Sequence, residues 1–278
     1  MMEYFNVNAF YLGMLLFACM FMSNVFYSLF CLIWKVKIIE FGLLGSAWFS
    51  LHKEKLLGTE FILGWLPFGS HIKPLGMLAD DDSKAEIHQA DLPFALFSKP
   101  KILRYVFYLT PVFVYSLSFF VVINFSQFGL MDETSYTLEF SFNVLREMFS
   151  GSEHRADFIV YAKNIFEGRN HILFSFLVAN VLFLIFSIPM VVSNFLNSSD
   201  KISEKSKERI HILYMLFSLW IMVWIIPRFV FSFFELSQGF IYLFSFLIGI
   251  FMTGFVGFYT TLYVVKGVSK NLSESKTQ

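Results

Sequence analysis

The sequence is poor in charge and in cysteine. Charged residues make up 15% of the 278 residues, whereas soluble domains carry about 25%. Its two cysteines, Cys19 and Cys31, have neither the spacing of a zinc knuckle nor that of a redox pair, so we expect both to be buried thiols. Formal net charge is zero, so the overall charge does not indicate a nucleic acid partner, and none is predicted.

Apolar residues, by contrast, are in large excess. Hydrophobic residues make up 56% of the chain and aromatic residues 20%, with 39 phenylalanines. The core of a water-soluble protein of this size could not bury so much apolar surface, whereas a lipid bilayer removes the need to bury it. The composition therefore predicts an integral membrane protein.

Five apolar runs are long enough to cross a bilayer as helices, which takes about 20 residues. They are Ala9–Trp34, Ile102–Phe125, Ile172–Leu196, Ile212–Phe231 and Gly239–Val265. The first run is too long for a signal peptide and lacks a basic n-region and a small-residue cleavage site, so we expect it to be retained. The runs predict an all-α polytopic membrane protein with five transmembrane helices.

Basic residues are concentrated on one side of these spans. Most of the 21 lysines and arginines lie in the first and third connections and in the tail, whereas the outer loop, residues 126–169, is acidic. The positive-inside rule therefore predicts an N-terminus outside and a C-terminus in the cytoplasm. Within the outer loop, Phe142–Phe149 has the one-sided apolar pattern of a surface helix. The Ser- and Lys-rich tail after Lys266 is expected to be disordered.

The segment from Val36 to Pro74 is apolar but does not have the pattern of a span. Lys53, Glu54 and Lys55 divide it, and glycines interrupt it too often for a long helix. Its short, aromatic and partly β-branched pieces favour strands, which at membrane depth must pair with one another and be shielded by protein. The segment thus predicts a small re-entrant β-hairpin, with an amphipathic segment at the membrane interface as the alternative.

A motif within this segment consists of Gly58-Thr59-Glu60-Phe61, Pro67-Phe68-Gly69-Ser70 and Lys73, and it is preceded by Phe41-Gly42-Leu43-Leu44-Gly45. It resembles the hairpin of the site-2 proteases, a family of intramembrane zinc metalloproteases. The family pattern is a strand with a Phe and a Gly-rich turn, then G-T-E-aromatic, apolar residues, P-apolar-G-G and a lysine. The resemblance extends over roughly Met20–Asn194. It implies a site-2-protease-like core over residues 1–196, followed by a helical pair over residues 197–265 and a cytoplasmic tail over residues 266–278.

The same resemblance locates the catalytic positions of the family. Its H-E-x-x-H zinc motif falls on Ser23-Asn24-Val25-Phe26-Tyr27, and its third ligand, an Asp, falls near Val192. Neutral hydroxyls are poor zinc ligands, and an amide cannot accept a proton from water. The resemblance therefore implies a degenerate member with no catalytic residues, no metal and no cofactor.

The polar residues Ser23, Asn24 and Tyr27 would lie near mid-membrane, where they should face protein. They either bond within this chain or form a vestigial cleft that accepts the backbone of a partner.

Two sets of residues are candidates for partner binding. The family hairpin receives an extended segment by strand addition, which is implied here for Gly58, Thr59, Glu60, Pro67, Gly69 and Lys73, unless the hairpin only plugs the old cleft. Small residues in the fifth span would let another helix approach closely, either within this chain or in another subunit. They are Ser245, Gly249, Thr253 and Gly257.

These features predict a pseudoprotease that is a structural or regulatory subunit of a membrane complex. Its expected partners are membrane lipids and the transmembrane segments of other integral membrane proteins, in a hetero-oligomer. The compact layout and the hairpin motif favour a bacterial inner membrane. The alternatives are a component of a transport or secretion machine and an active intramembrane protease with atypical ligands.

Overall fold

The structure is a computed structural model that describes residues 5–46, 48–77, 87–150, 155–197, 203–225, 228 and 236–274. Its helices and strands, in chain order, are α1 (Val7–Ile33), β1 (Ile38–Gly45), β2 (His52–Leu56), β3 (Thr59–Leu63), β4 (Leu66–Pro74), α2 (Lys101–Tyr108), α3 (Thr110–Ile123), α4 (Leu130–Ser150), α5 (Arg155–Phe166), α6 (His171–Asn197), α7 (Glu204–Trp220) and α8 (Leu236–Glu274). Two short 3₁₀ helices precede α2, and a π-helical turn, Ile221–Ile225, follows α7.

Three of the described helices are long and apolar enough to cross a membrane. They are Val7–Ile33, His171–Pro189 and Ser237–Asn271, and α2 with α3, interrupted at Leu109, could form a fourth span. The first, third and fifth predicted spans coincide with these three helices, and the second coincides with the interrupted pair. The predicted fourth span, Ile212–Phe231, covers the end of α7 and the π-helical turn, and most of its last residues lie outside the described ones.

The predicted strands between Val36 and Pro74 are confirmed, but they form a four-stranded sheet rather than a hairpin. Its order is β2-β3-β1-β4, with β1 and β3 parallel and the other neighbours antiparallel. Lys53 and Lys55, whose charges predict an interruption between two apolar pieces, belong to β2. They are exposed while the alternate residues His52, Glu54 and Leu56 are half-buried, as the two-residue period of a strand requires.

A two-residue turn joins β2 to β3. Leu57 and Gly58 have φ angles of 50° and 84°, and Leu56 pairs with Thr59 across the turn. Positive φ at both central residues is the mark of a type I′ turn, whose twist matches that of the flanking strands.

The two inner strands, β1 and β3, each carry three buried apolar side chains. Leu43 and Leu44 are both fully buried, although neighbours in a regular strand face opposite sides. A register shift between Leu43 and Gly45, with Leu44 at φ 63°, explains this. Leu44 packs on Gly254 of α8, where an added Cβ would lie 3.0 Å from the leucine side chain. A small residue in α8 therefore allows the sheet to approach the helix closely.

The chain forms two compact units, and each is assembled from two separate stretches. The first unit comprises Met1–Leu16 and Pro111–Ile248, and the second comprises Phe17–Thr110 and Gly249–Gln278. The predicted division at residue 196 falls within the second stretch of the first unit and stays a prediction. Helix α8 contributes to both and continues to Glu274, whereas the sequence predicted a disordered tail from residue 266. Lys266 bonds Glu54 of β2, which anchors the helix beyond its apolar run.

The core of the first unit includes a cluster in which three of the six buried residues are phenylalanines. Helices α4, α5 and α6 contribute Phe140, Phe158 and Phe174 to this cluster, in which the Phe140 ring lies 5.8 Å from the Phe158 ring and 5.5 Å from the Phe174 ring. The predicted helical stretch Phe142–Phe149 lies within α4, and its Phe142 and Phe149 side chains are exposed. The described residues between Leu130 and Phe166 are thus helical.

Candidate functional site

In the second unit, the polar face of α1 meets the sheet. Asn24 is 2% exposed, and Ser23 is also buried, so both polar side chains face protein as predicted. The Asn24 amide nitrogen lies 3.3 Å from the carbonyl oxygen of Gly42 and 3.3 Å from that of His71. Gly42 and His71 are paired across β1 and β4. One amide therefore donates to two neighbouring strands.

Only a donor can occupy this position. An ionised carboxylate has no hydrogen to give, whereas an amide supplies two N–H groups. A glutamate at position 24, where the resemblance locates the general base, would face two carbonyl oxygens that it could not bond. The side chain present here fits a role in joining α1 to the sheet.

The other positions on which the resemblance places zinc ligands also make contacts within the chain or belong to the first unit. Ser23 Oγ donates to the Cys19 carbonyl of its own helix at 3.1 Å, and the Tyr27 ring lies 4.5 Å from the Phe107 ring of α2. Val192 is exposed on α6 and belongs to the first unit. In the part of the chain that the structure describes, no three His, Cys, Asp or Glu side chains lie together as metal ligands would.

A second set of contacts, which the sequence analysis did not identify, joins α1 to β4. Ser70 Oγ donates to the Met20 carbonyl at 3.0 Å. The ring of His71 bonds Glu40 and lies directly over Gly42, where an added Cβ would be 2.1 Å from the imidazole. In the sequence, Gly42 stands out only as part of the strand that resembles the family. Its lack of a side chain is what admits the histidine.

The sheet separates the candidate partner-binding residues of the hairpin into two groups. Gly58 lies in the turn, and Thr59 and Glu60 lie on β3, which has strands on both sides. Thr59 Oγ1 donates to the Ile38 carbonyl at 2.9 Å, and Glu60 pairs with Lys53 at 3.0 Å. The remaining three, Pro67, Gly69 and Lys73, lie on β4, an edge strand. Strand addition is therefore open to the second group and not to the first.

The small residues of α8 pack within their own units. Ser245 is fully buried, and its Oγ accepts the backbone N–H of Asn6 at 2.8 Å. An added Cβ at Gly257 would lie 3.4 Å from the Phe21 ring and 3.5 Å from the Leu43 side chain. Thr253 donates to the Gly249 carbonyl of the same helix. Of the two alternatives, the contacts at Ser245 and Gly257 favour packing within this chain.

No family model, curated protein or solved structure matches this chain. The relation to the site-2 proteases therefore stays a prediction from the residues quoted above. The geometry around Asn24 and along β4 has to be judged on its own chemistry.

Strand β2 carries the ion pair that fixes the end of α8. Lys266 Nζ lies 2.8 Å from Glu54 Oε2, and His52 Nε2 lies 3.5 Å from the same oxygen. The hydrogen bond from Lys266 lowers the pKa of Glu54 below its ordinary value of 4.5. The stabilisation from this pair is thus fully present above pH 4.5 and is lost as the pH falls through the lowered pKa.

We expect Lys266→Met to raise the pKa of Glu54 towards its ordinary value, because the strongest donor to the charged carboxylate is removed. Carbon-13 NMR of labelled glutamate in micelles would follow the titration of Glu54. Lys73→Met is the matched control, since Lys73 is an exposed lysine on the other edge strand of the same sheet. An unchanged Glu54 titration in Lys266→Met would contradict the pairing.

Proposed function

We propose that this chain is a catalytically inactive relative of the site-2 proteases, which binds transmembrane segments of partner proteins as a structural or regulatory subunit of a membrane complex. The observation that carries the proposal is the position of Asn24. Its amide holds two strands together where the family has its general base. The replacement of the family's glutamate by Asn24 would then both remove catalysis and create a fixed contact between α1 and the sheet.

The edge strand β4 supports the binding of a partner. Edge strands present unpaired N–H and C=O groups to which an extended segment can add. The pairing of β4 with β1 is regular from Ser70 to Lys73 and irregular between Leu66 and Ser70. At membrane depth, unpaired backbone groups cost several kcal/mol each. A partner segment along the regular part of β4 would relieve that cost.

The proposed orientation follows from the charges. Lys266 and Lys270 lie at the C-terminal end of α8, and Lys35 and Lys37 follow α1. These ends would face the cytoplasm of a bacterial cell, with the chain in its inner membrane and its N-terminus outside.

Photo-crosslinking in cells would test partner binding. A photoreactive residue at Lys73, exposed on β4, is expected to crosslink to another integral membrane protein that also co-purifies in mild detergent. The same residue at Lys55, exposed on the opposite edge strand β2, is the control and is expected to give no such product. If neither position yields a partner and the extracted protein is a lone monomer, the proposal fails.

The role of Asn24 can be tested separately. We expect Asn24→Asp to lower the free energy of unfolding by about 1–3 kcal/mol, because buried carbonyls of Gly42 and His71 lose their donor. Unfolding in mixed micelles, followed by circular dichroism, would measure the change. Ser28→Ala is the control, since the Ser28 hydroxyl donates to the Asn24 carbonyl of its own helix. Equal stability of Asn24→Asp and wild type would contradict a joining role.

A further inference from the structure

Contacts between the sheet and its two neighbouring helices set the depth of each strand along the membrane-spanning direction. On α8, Glu54 of β2 meets Lys266 at the end of the apolar run, and Leu44 of β1 meets Gly254. At ~1.5 Å per residue, Gly254 lies about 18 Å from Lys266 along the helix. The far end of β1 is therefore deep along α8.

Helix α1 gives an independent measure of the same depth. Asn24, which bonds Gly42 of β1, lies about 15 Å before Trp34, the end of the apolar run, at ~1.5 Å per residue. Half of the hydrocarbon layer of a bilayer is about 15 Å thick. The two helices agree that the end of β1 near Leu44 lies close to the middle of the membrane.

The charges of the sheet are distributed as this depth requires. Two stretches contain no Asp, Glu, Lys, Arg or His: residues 41–51, from the middle of β1 to the start of β2, and residues 61–70, from β3 into β4. The charged residues of the sheet all lie outside these two stretches, and the deepest of them is Lys53, which pairs with Ile62 at the level of Gly42. They are Glu40, Lys53, Glu54, Lys55, Glu60 and Lys73. The deep end is apolar in sequence as well as in position.

An exposed aromatic group forms this deep end. The backbone N–H of Trp65 bonds the carbonyl of Gly45, the last residue of β1, at 2.9 Å. The ring of Phe49 stacks on Trp65 at 5.3 Å, and the ring of Trp48 stacks on it at 5.6 Å. Trp48 is 83% exposed. We call Trp48, Phe49 and Trp65 the aromatic tip.

We infer that the aromatic tip lies in the hydrocarbon layer and binds lipid acyl chains. The inference rests on the membrane placement in the proposed function but not on the proposed partner. Met252 and Val256 of α8, two residues before and two after Gly254, are also exposed apolar side chains. At ~3.6 residues per turn, both face away from the sheet that packs on Gly254. The exposed groups at this depth are thus apolar on both sides of the contact, and an acyl chain is the partner whose chemistry fits them.

Depth-dependent fluorescence quenching would test the inference on the purified full chain in phosphatidylcholine vesicles. Bromine atoms on the lipid acyl chains quench nearby tryptophans, and acrylamide quenches those that water reaches. The difference between wild type and Trp48→Phe gives the signal of Trp48, and the difference from Trp34→Phe gives that of Trp34. We expect bromine near the bilayer centre to quench Trp48 several-fold more than Trp34, and acrylamide to quench Trp34 more.

Two outcomes would overturn the inference. Quenching of Trp48 by acrylamide would place the tip in water. Protection from both quenchers would show that protein, such as a second copy, covers it. Because the protein is alone in the vesicle, either result is independent of the crosslinking at Lys73. The inference about lipid and the proposal about a partner therefore fail separately.

Discussion

We expect Arg169→Met to lower the free energy of unfolding by about 3–5 kcal/mol, the usual cost of removing one member of a buried ion pair. The Arg169 side chain is 8% exposed, and its Nε lies 3.3 Å from Glu133 Oε2, whose side chain is 3% exposed. The guanidinium carbon also lies 4.4 Å from the ring centre of Phe128 and 4.7 Å from that of Tyr136. The substitution leaves the Glu133 carboxylate buried without its cation.

Urea unfolding in mixed micelles would measure this loss. Lys163→Met is the control, because Lys163 is an exposed cation of the same unit, and an exposed cation contributes little. The double variant Arg169→Met with Glu133→Gln should recover part of the loss, since no unpaired charge remains. If Arg169→Met and Lys163→Met were equally stable, the first unit would not depend on the Arg169–Glu133 pair.

The second large effect is expected from Gly64→Ala, which should prevent the sheet from closing. An added Cβ would lie 2.1 Å from the Gly45 carbonyl oxygen and 2.5 Å from that of Leu44. Both atoms are backbone, so no side chain can rotate away. Moving the strand would break the bonds from Gly64 N–H to the Leu43 carbonyl and from Trp65 N–H to the Gly45 carbonyl, both 2.9 Å.

The yield of folded protein after detergent extraction would measure the effect. Thermal unfolding of the extracted protein would measure the stability of the fraction that folds. Gly267→Ala is the control, because an added Cβ there has nothing within 4 Å. Position 267 is an exposed helical site, where alanine is favoured over glycine by about 1 kcal/mol. Normal yield and stability of Gly64→Ala would mean that the two strand ends can separate without loss of the sheet.

Length and periodicity account for what the sequence could predict. Long apolar runs predicted the spanning helices α1 and α6 and the span in α8, and the glycine-rich segment predicted strands. The rule that polar groups in a membrane face protein placed Ser23 and Asn24 correctly. Each of these inferences uses residues that are close together in the sequence.

Contacts between distant residues account for what the sequence could not predict. Asn24 bonds two backbone carbonyls. Because every residue has a backbone carbonyl, the residue types in the sequence do not indicate these partners. Glu133 and Arg169 form a buried ion pair. In the sequence they are two charged residues of a polar connection, where exposed charges are expected. Likewise, the charges around Lys53 predict an interruption of the apolar segment. The alternation of exposed and half-buried side chains along β2 arises only when β2 pairs with β3.

The assembly of the second unit from two distant stretches has a consequence for synthesis. Leu44 emerges from the ribosome long before Gly254, the residue on which it packs. At ~5–20 residues per second, the gap lasts roughly 10–40 s. During that time α8 has not been synthesised, and α1 is the spanning helix of the second unit that can cover the four strands. The nascent chain thus presents an apolar sheet to its surroundings until α8 arrives, and membrane insertion machinery would have to hold it for that interval.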